Sequence, residues 1–321
     1  MPGAALAWGA SGHRMIGEAA VRALPPELPA FLRTPRAAIE IGELSREPDR
    51  MRAAGRIRDN DRNPDHFIDL GDDGRIFGGP AISALPATRE AYDAALRAQG
   101  QDSWKAGWLP YAIVDRWEGL AKDFAYWRVL AAARANPKWR AHRAWFVADQ
   151  QRREALILAR IGELSHFVGD GSQPLHVSIH FNGWGDYPNP QGYTNARLHV
   201  PFEGDFVRDN VRPQEVAQAM PPPRSCACPV LQRTEGYLAE SQREVTPFYA
   251  LEKAGGLRPG DPRGRAFAAG RLGAAAGELR DLVAEAWRTS LDESVGYGPA
   301  VSVKDVISGK TDPYNSIWGP D

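Results

Sequence analysis

The segment from Leu164 to Val177, L-S-H-F-V-G-D-G-S-Q-P-L-H-V, constrains the chain more than any other. Ahead of it and into it, Ile157, Ile161, Leu164 and Val168 recur at helical spacing and make one apolar stripe. His166 and Asp170 are four residues apart, so on a helix they stack on one face. At roughly 100° of rotation per residue, that face lies opposite the stripe, beside the small residues Ala155, Ala159 and Gly162. The pattern predicts a helix from about Phe146 to Asp170, buried on both sides. The stripe packs outward and the His/Asp face lines a cavity. The competing reading is a surface helix with a chance His and Asp, because H-x-x-x-D alone is a common pattern. Gln173-Pro174 ends the helix, since proline cannot continue it, and His176 follows just past the break. Imidazole nitrogens and carboxylate oxygens are the usual ligands of zinc.

The rest of the chain reads as helices joined by long loops. Ser11 is a candidate N-cap for a helix carrying Ile16, Ala20 and Leu24 on one face, ended by Pro25-Pro26. Further helices are expected over Thr88–Ala98, around Leu120, Phe124, Trp127 and Leu130, and from Ala266 to Leu291. His66-Phe67-Ile68-Asp69 reads as a short extended segment, and His142 is assigned to the surface. Strand signals are nearly absent, and neither an internal repeat nor a domain boundary stands out. The expected class is therefore all-α, one multi-helix domain over residues 8–300 with an irregular tail over 301–321.

Charge and hydropathy exclude some functions. A net charge of −1 over 321 residues implies no strongly basic face, which argues against holding a long duplex mainly through its phosphates. No apolar run approaches the roughly 18 residues of a membrane span. Ala5-Leu6-Ala7 fits the small-x-small rule before a signal cleavage point, so residues 1–7 are expected to be a signal remnant, the mature chain to begin at Trp8, and the protein to be exported. A free Trp8 amine could then chelate a metal together with its own carbonyl. Cys226 and Cys228 are separated by one residue. They are two free thiols, a small-ring disulfide or a soft-metal contact, and the loop-staple reading is preferred to an active-site role.

Five of the seven His, at 13, 66, 166, 176 and 199, sit in ligand-like surroundings. His199 and Glu203 repeat the four-residue His/acid spacing. With Asp49, Asp170, Glu203 and the Trp8 terminus these make nine candidate ligands. That is too many for one tetrahedral zinc and suits three when a carboxylate bridges.

The motifs Trp8-Gly-x-x-Gly-His13, Asp49, His66-Phe-x-Asp69, His166-Phe-x-Gly-Asp170-x-x-Gln-Pro-Leu-His176 and His199-x-x-x-Glu203 resemble the trinuclear zinc phosphodiesterases over most of residues 8–292. That superfamily joins the zinc-dependent phospholipases C to the single-strand-specific nucleases of the S-one/P-one type. The resemblance implies an α-helical domain with three zinc ions at the bottom of a cleft. It implies one zinc on Asp49, His66, His166 and Asp170, a second on His176, His199 and Glu203, and a third on His13, Asp170 and the amine and carbonyl of Trp8. Asp49 is then both a ligand and the candidate to orient or deprotonate the nucleophile. Asp69 is either a substrate contact or a turn residue. Phe67, Phe181, Asn182 and Trp184 are candidate substrate contacts, with aromatic faces suited to a choline cation or a nucleobase and packing of a long loop as the plainer reading.

The branch is decided after His176, where V-S-I-H-F-N-G-W-G lacks the G-G-N of the nucleases. Glu203, the H-F-N at Asn182 and H-x-x-F-E-x-x-F-V resemble the phospholipase branch. The W-G-x-x-G-H start and the His176–His199 spacing resemble the nucleases. The balance falls to a phospholipase C acting on a phosphatidylcholine-like lipid as a monomer with transient membrane-surface contact. The alternatives are a nuclease acting on single-stranded nucleic acid and a zinc-binding protein without turnover.

Overall fold

Proline and cap residues set the ends of the main helices. In the computed structural model, which describes residues 8–52 and 54–319, six helices have ten residues or more. They are α1 (Ala10–Arg22), α2 (Pro35–Leu44), α3 (Leu109–Ala135), α4 (Arg143–Ser172), α5 (Val230–Gln242) and α6 (Pro262–Thr289). Thr34 caps α2 by accepting from the Ala37 N–H at 3.1 Å, with Pro35 in the first turn. Asp261 and Pro262 do the same for α6. α3 stops at Asn136 before Pro137, and α4 at Gln173 before Pro174, because the residue before proline is pushed out of helical conformation. The chain is all-α. Its one two-stranded ribbon, among the described residues, is Ser294–Val295 paired antiparallel with Val301–Ser302.

α3 and α4 form an extended antiparallel pair, and α6 packs across both. Ile157, Ile161, Leu164 and Val168 are fully buried in this layer. Trp287 of α6 ties it together, meeting the Phe124 ring at 5.4 Å, Trp127 at 5.8 Å and the Arg128 guanidinium at 3.3 Å. α1 and α2 lie against the C-terminal half of α4. Small residues permit this approach. A Cβ on Gly162 would lie 2.6 Å from Leu44 Cβ, and one on Gly17 would lie 3.2 Å from the Gly42 Cα.

Several expectations need correction. Ser11 is not the cap of α1, because the helix starts at Ala10 and its first N–H groups receive no side-chain cap. The residues from 301 are not irregular. Val303–Ile307 and Tyr314–Trp318 are helical, and Val301, Val303 and Val306 join Val129, Leu130 and Phe146 in a second apolar cluster. The sequence hides this, since each segment buries only a few side chains and neither completes two helical turns. His142 is half-buried, its ring stacked on Tyr314 with centroids 3.4 Å apart. His66 itself closes a single tight turn, Asn63–His66, and the expected extended segment begins one residue later, at Phe67, with Ile68 and Leu70 bridging to neighbouring backbone. Of the small residues beside the His/Asp face, Ala155 is exposed, Ala159 half-buried and Gly162 buried, so the buried face begins at Gly162. The expected signal remnant, residues 1–7, lies outside the described residues.

Candidate metal centre

The last turns of α4 supply the centre of the site. His166 and Asp170 are fully buried there. Gln173 turns the chain, its side chain accepting from the Leu175 N–H at 3.2 Å, and the tight turn Pro174–His176 brings His176 back beside them. α1 contributes His13, the short helix Glu47–Arg50 contributes Asp49, and the turn after Pro64 contributes His66. His199 and Glu203 come from a helical segment that widens into a π-helical turn over Pro201–Phe206. Such turns insert one residue and recur at functional sites. Here the turn buries Phe202, Glu203 and Phe206 together.

Three groups of donors result, with the donor atoms of each within 4.8 Å of one another. The first is His13, His166 and Asp170. The His13 and His166 rings stack at 4.1 Å, and His13 Nε2 lies 3.6 Å from Asp170 Oδ1. The second is Asp49, His66 and His166. His66 Nδ1 is 3.0 Å from His166 Nε2, which is 3.9 Å from Asp49 Oδ1. The third is His176, His199 and Glu203, whose Oε2 is 3.5 Å from His176 Nε2 and 2.9 Å from His199 Nε2. Asp170 serves the first two groups at once. Its Oδ1 faces His13, while its Oδ2 lies 2.9 Å from His66 Nδ1 and 3.3 Å from His166 Nε2. His166, expected with Asp49 and His66, is also within reach of the His13 group.

The hydrogen bonds around these rings aim their free nitrogens inward. His166 Nδ1 donates to the Ser45 carbonyl at 2.8 Å, His176 Nδ1 to that of His66 at 2.6 Å, and His199 Nδ1 to that of Phe181 at 2.9 Å. This fixes the tautomer that leaves each Nε2 lone pair facing the site, as metal-binding imidazoles require. Trp8 is fully buried, and its indole N–H lies 2.8 Å from both the Gly169 carbonyl and Ser172 Oγ. That pins the start of α1 to the turn of α4 that carries Asp170. The Trp8 carbonyl accepts from the His13 N–H at 3.3 Å.

Burial leaves these donors short of partners. Among the described residues, ten buried side-chain nitrogens and oxygens have no hydrogen-bond partner. Five of them are here: both nitrogens of His13, Asp170 Oδ1 and both oxygens of Glu203. Buried polar atoms are nearly always paired, so this concentration calls for a bound group. Cations fit it, since every orphan is a lone-pair donor or can become one by tautomer choice. Burial holds the His13 and His66 pKa values below the usual imidazole range, which keeps these rings neutral. Burial lowers the pKa of His166 and His176, but Asp170 beside both and Glu203 beside His176 outweigh it and raise both, His176 to about 9. Without a cation each of these two rings therefore holds a proton on Nε2, the position a bound cation would take. That charge in turn outweighs burial at Asp170 and holds its carboxyl well below the ordinary range. With five imidazoles, three carboxylates and no thiolate, the donor set suits zinc.

The expected substrate contacts divide. Phe181 is 48% exposed and Phe67 half-buried, so both present ring surface. Asn182 instead holds a ligand in place, its Oδ1 accepting from the His199 N–H at 3.3 Å. Trp184 is buried, with its ring stacked 3.8 Å from that of His180 and its N–H on the Pro188 carbonyl. It anchors the loop, as the packing alternative had it. His180, which sequence reasoning passed over, is the other half of that anchor. It bonds the Trp184 carbonyl at 2.7 Å and reaches Asp72 at 3.1 Å, and the H-F-N-G-W spacing was its only signal. Asp69 is buried, and desolvation pushes its carboxyl well above the usual range. Cys226 and Cys228 form a disulfide on an exposed loop and belong to none of the three donor groups.

No family model matches the chain, and no curated protein matches it.

Proposed function

We propose that this chain is a zinc-dependent phosphodiesterase whose three donor groups hold three zinc ions. The observation that carries the reading is Asp170, whose two oxygens face two donor groups with His166 between them. Isolated structural zinc sites are closed and mononuclear, so a bridged arrangement argues against a storage or structural role. When bound, zinc offsets phosphate charge and lowers the pKa of water toward neutrality.

The chain's residues then divide the remaining work. Asp49 is 16% exposed, the most open of the donors, and sits where its carboxylate can orient an attacking water and accept its proton. Arg52, 3.2 Å from Asp49 Oδ1, holds that carboxylate in place. His176, His199 and Glu203 form the third donor group, against which a leaving oxygen can rest. Asp69, buried beside them and favouring its protonated form, can donate a hydrogen bond to a substrate oxygen.

For substrate, we favour a phospholipid. Met51 is 55% exposed and lines a small cavity that reaches His66, and Phe181 is exposed on the residue whose carbonyl holds His199. Apolar side chains at a cleft mouth suit contact with a lipid surface. The nuclease reading has one observation of its own. Arg62 and Arg116 line the same cavity, the latter over the Phe167 ring at 4.6 Å, and could receive a further phosphate. The test is to supply the protein, started at Trp8 and loaded with zinc, with phosphatidylcholine vesicles and separately with single-stranded DNA. Diacylglycerol release supports the lipid reading. Mononucleotide release without diacylglycerol replaces it with the nuclease, and no hydrolysis of either overturns the enzyme reading.

A further inference from the structure

The loop over 177–198 carries no helix, yet its backbone aims a donor of the third group. The Phe181 carbonyl accepts from His199 Nδ1 at 2.9 Å, and Asn182 Oδ1 accepts from the His199 N–H at 3.3 Å. Two consecutive loop residues therefore set both the ring and the backbone of His199. His166, by contrast, leans on Ser45, directly after α2. An irregular loop has no ladder of hydrogen bonds to keep such a pair still.

One side chain brackets the pair. Tyr249, on the helix Val245–Lys253, donates its hydroxyl proton to the His180 carbonyl at 2.6 Å and accepts from the Gly183 N–H at 3.0 Å. Its oxygen thus joins the residue before Phe181 to the residue after Asn182. Gly183 makes this bend with φ at 103°, and a Cβ there would lie 2.8 Å from the Asn195 carbonyl oxygen. Tyr249 is fully buried, its ring edge-on to Trp184 at 5.2 Å and tilted on Tyr193 at 5.8 Å. On either side of the bend the loop has other holds. The Ile179 N–H donates to the Leu70 carbonyl at 3.0 Å, the Trp184 N–H to that of Thr194 at 2.9 Å, and the His180 ring reaches Asp72.

We propose, on the strength of the three-zinc reading, that Tyr249 is a positioning residue for the third donor group. Its hydroxyl fixes the Phe181–Asn182 bend, and the bend aims His199 at the cation it would share with His176 and Glu203. Without the hydroxyl, the His180 carbonyl and the Gly183 N–H each lose a buried partner, and the bend shifts to recover one. His199 moves with it. The donors of the other two groups are held by α1, α4 and the turns that carry Asp49 and His66, so they stay in place.

The test loads the full chain with zinc and withdraws the ions with a chromophoric chelator. It compares the parent, Tyr249→Phe, Glu203→Ala and the variant carrying both changes. Phenylalanine keeps the ring packing and removes only the hydroxyl. The expected result for Tyr249→Phe is one ion of three bound about ten-fold more weakly, the lower end of the loss for groups that orient metal-bound imidazoles. Glu203→Ala should hold two ions, and adding Tyr249→Phe should change the affinity of neither. Tyr126→Phe removes a hydroxyl that likewise accepts from a glycine N–H, that of Gly296, and should leave all three affinities unchanged. In the zinc-loaded protein the Nδ1–H proton resonance of His199 should shift in Tyr249→Phe, while that of His166 stays. Three unchanged affinities in Tyr249→Phe overturn the proposal, and so do three weakened alike, which is the mark of a merely structural role. If Tyr249→Phe does not fold, Asn182→Ala takes its place and should weaken the same ion, and an unchanged third ion there overturns the proposal too. A parent that binds fewer than three ions removes the three-zinc reading itself, and the proposal with it.

Discussion

His176 Nε2 faces His199 Nε2 at 2.9 Å, and each ring's other nitrogen is bound to a backbone carbonyl. Two lone pairs aimed at each other across that gap repel unless a proton or a cation lies between them. Glu203 Oε2 closes the triangle, and neither Glu203 oxygen has a hydrogen-bond partner. Glu203→Ala removes one corner and leaves the two groups built on Asp170 intact. The expected outcome is a fall from three bound zinc ions to two per chain, read by elemental analysis, with diester hydrolysis down at least about 100-fold, as for loss of a group that stabilises developing charge. Retention of all three ions would place the third metal elsewhere.

Metal removal should loosen the fold as well as stop chemistry. The donors come from α1, the Glu47–Arg50 turn, the His66 turn, the end of α4 and the His199 segment, so bound ions tie together pieces far apart in sequence. A ligand present at about 1,000 times its dissociation constant stabilises by about 4 kcal/mol. In a chain of this size that corresponds to a melting temperature lower by roughly 6 °C after chelation. Calorimetry before and after dialysis against a chelator measures it. An unchanged melting temperature would mean that the orphaned donors are satisfied in some other way.

The candidate metal donors were legible because their chemistry is local. His166–Asp170 and His199–Glu203 each satisfy helical spacing, and Gln173-Pro174 marks the turn that returns His176. What was illegible depends on partners distant in sequence. That His166 serves two groups follows from His13 stacking on it across 153 positions of chain, which no spacing rule contains. Trp184 and Asn182 offered the right chemistry for substrate contact. Only the fold shows that Tyr249, Tyr193 and His180 enclose the first, and that the second is used on the His199 backbone. The helices after residue 301 were missed for the same reason, since Val303 and Val306 make sense only against Val129 and Phe146.

Gly162 sets how closely α4 can approach α2. A Cβ there would lie 2.6 Å from Leu44 Cβ and 2.9 Å from the Leu44 carbonyl carbon. Backbone cannot yield as a flexible side chain can, so Gly162→Ala should force the helices apart. The helix-propensity gain of alanine, about 1 kcal/mol, opposes this, and overpacking typically costs about 1–3 kcal/mol. The expected net effect is destabilisation by about 1 kcal/mol in denaturant titration. Because Ser45, the residue after α2, accepts the His166 Nδ1 hydrogen bond, zinc affinity should fall as well. A variant more stable than the parent would show that α2 moves freely against α4.

Asp261 offers a test of pH dependence far from the metal donors. It caps α6, accepting from the Arg263 N–H at 2.9 Å, and also receives the Arg263 guanidinium at 2.8 Å. The Arg263 hydrogen bonds hold its pKa down to about 2, from an ordinary value of 3.8. A carboxyl depressed in the folded state binds fewer protons there than in the unfolded chain. Its stabilisation is therefore fully present above about pH 4 and lost as pH falls through 4 toward 2. Asp261→Asn keeps a capping oxygen but removes the charge. In metal-free protein, the parent should melt above this variant at neutral pH, and the gap should close as the pH drops below 4. A gap that stays constant down to pH 3 would mean that the carboxylate charge contributes nothing at the start of α6.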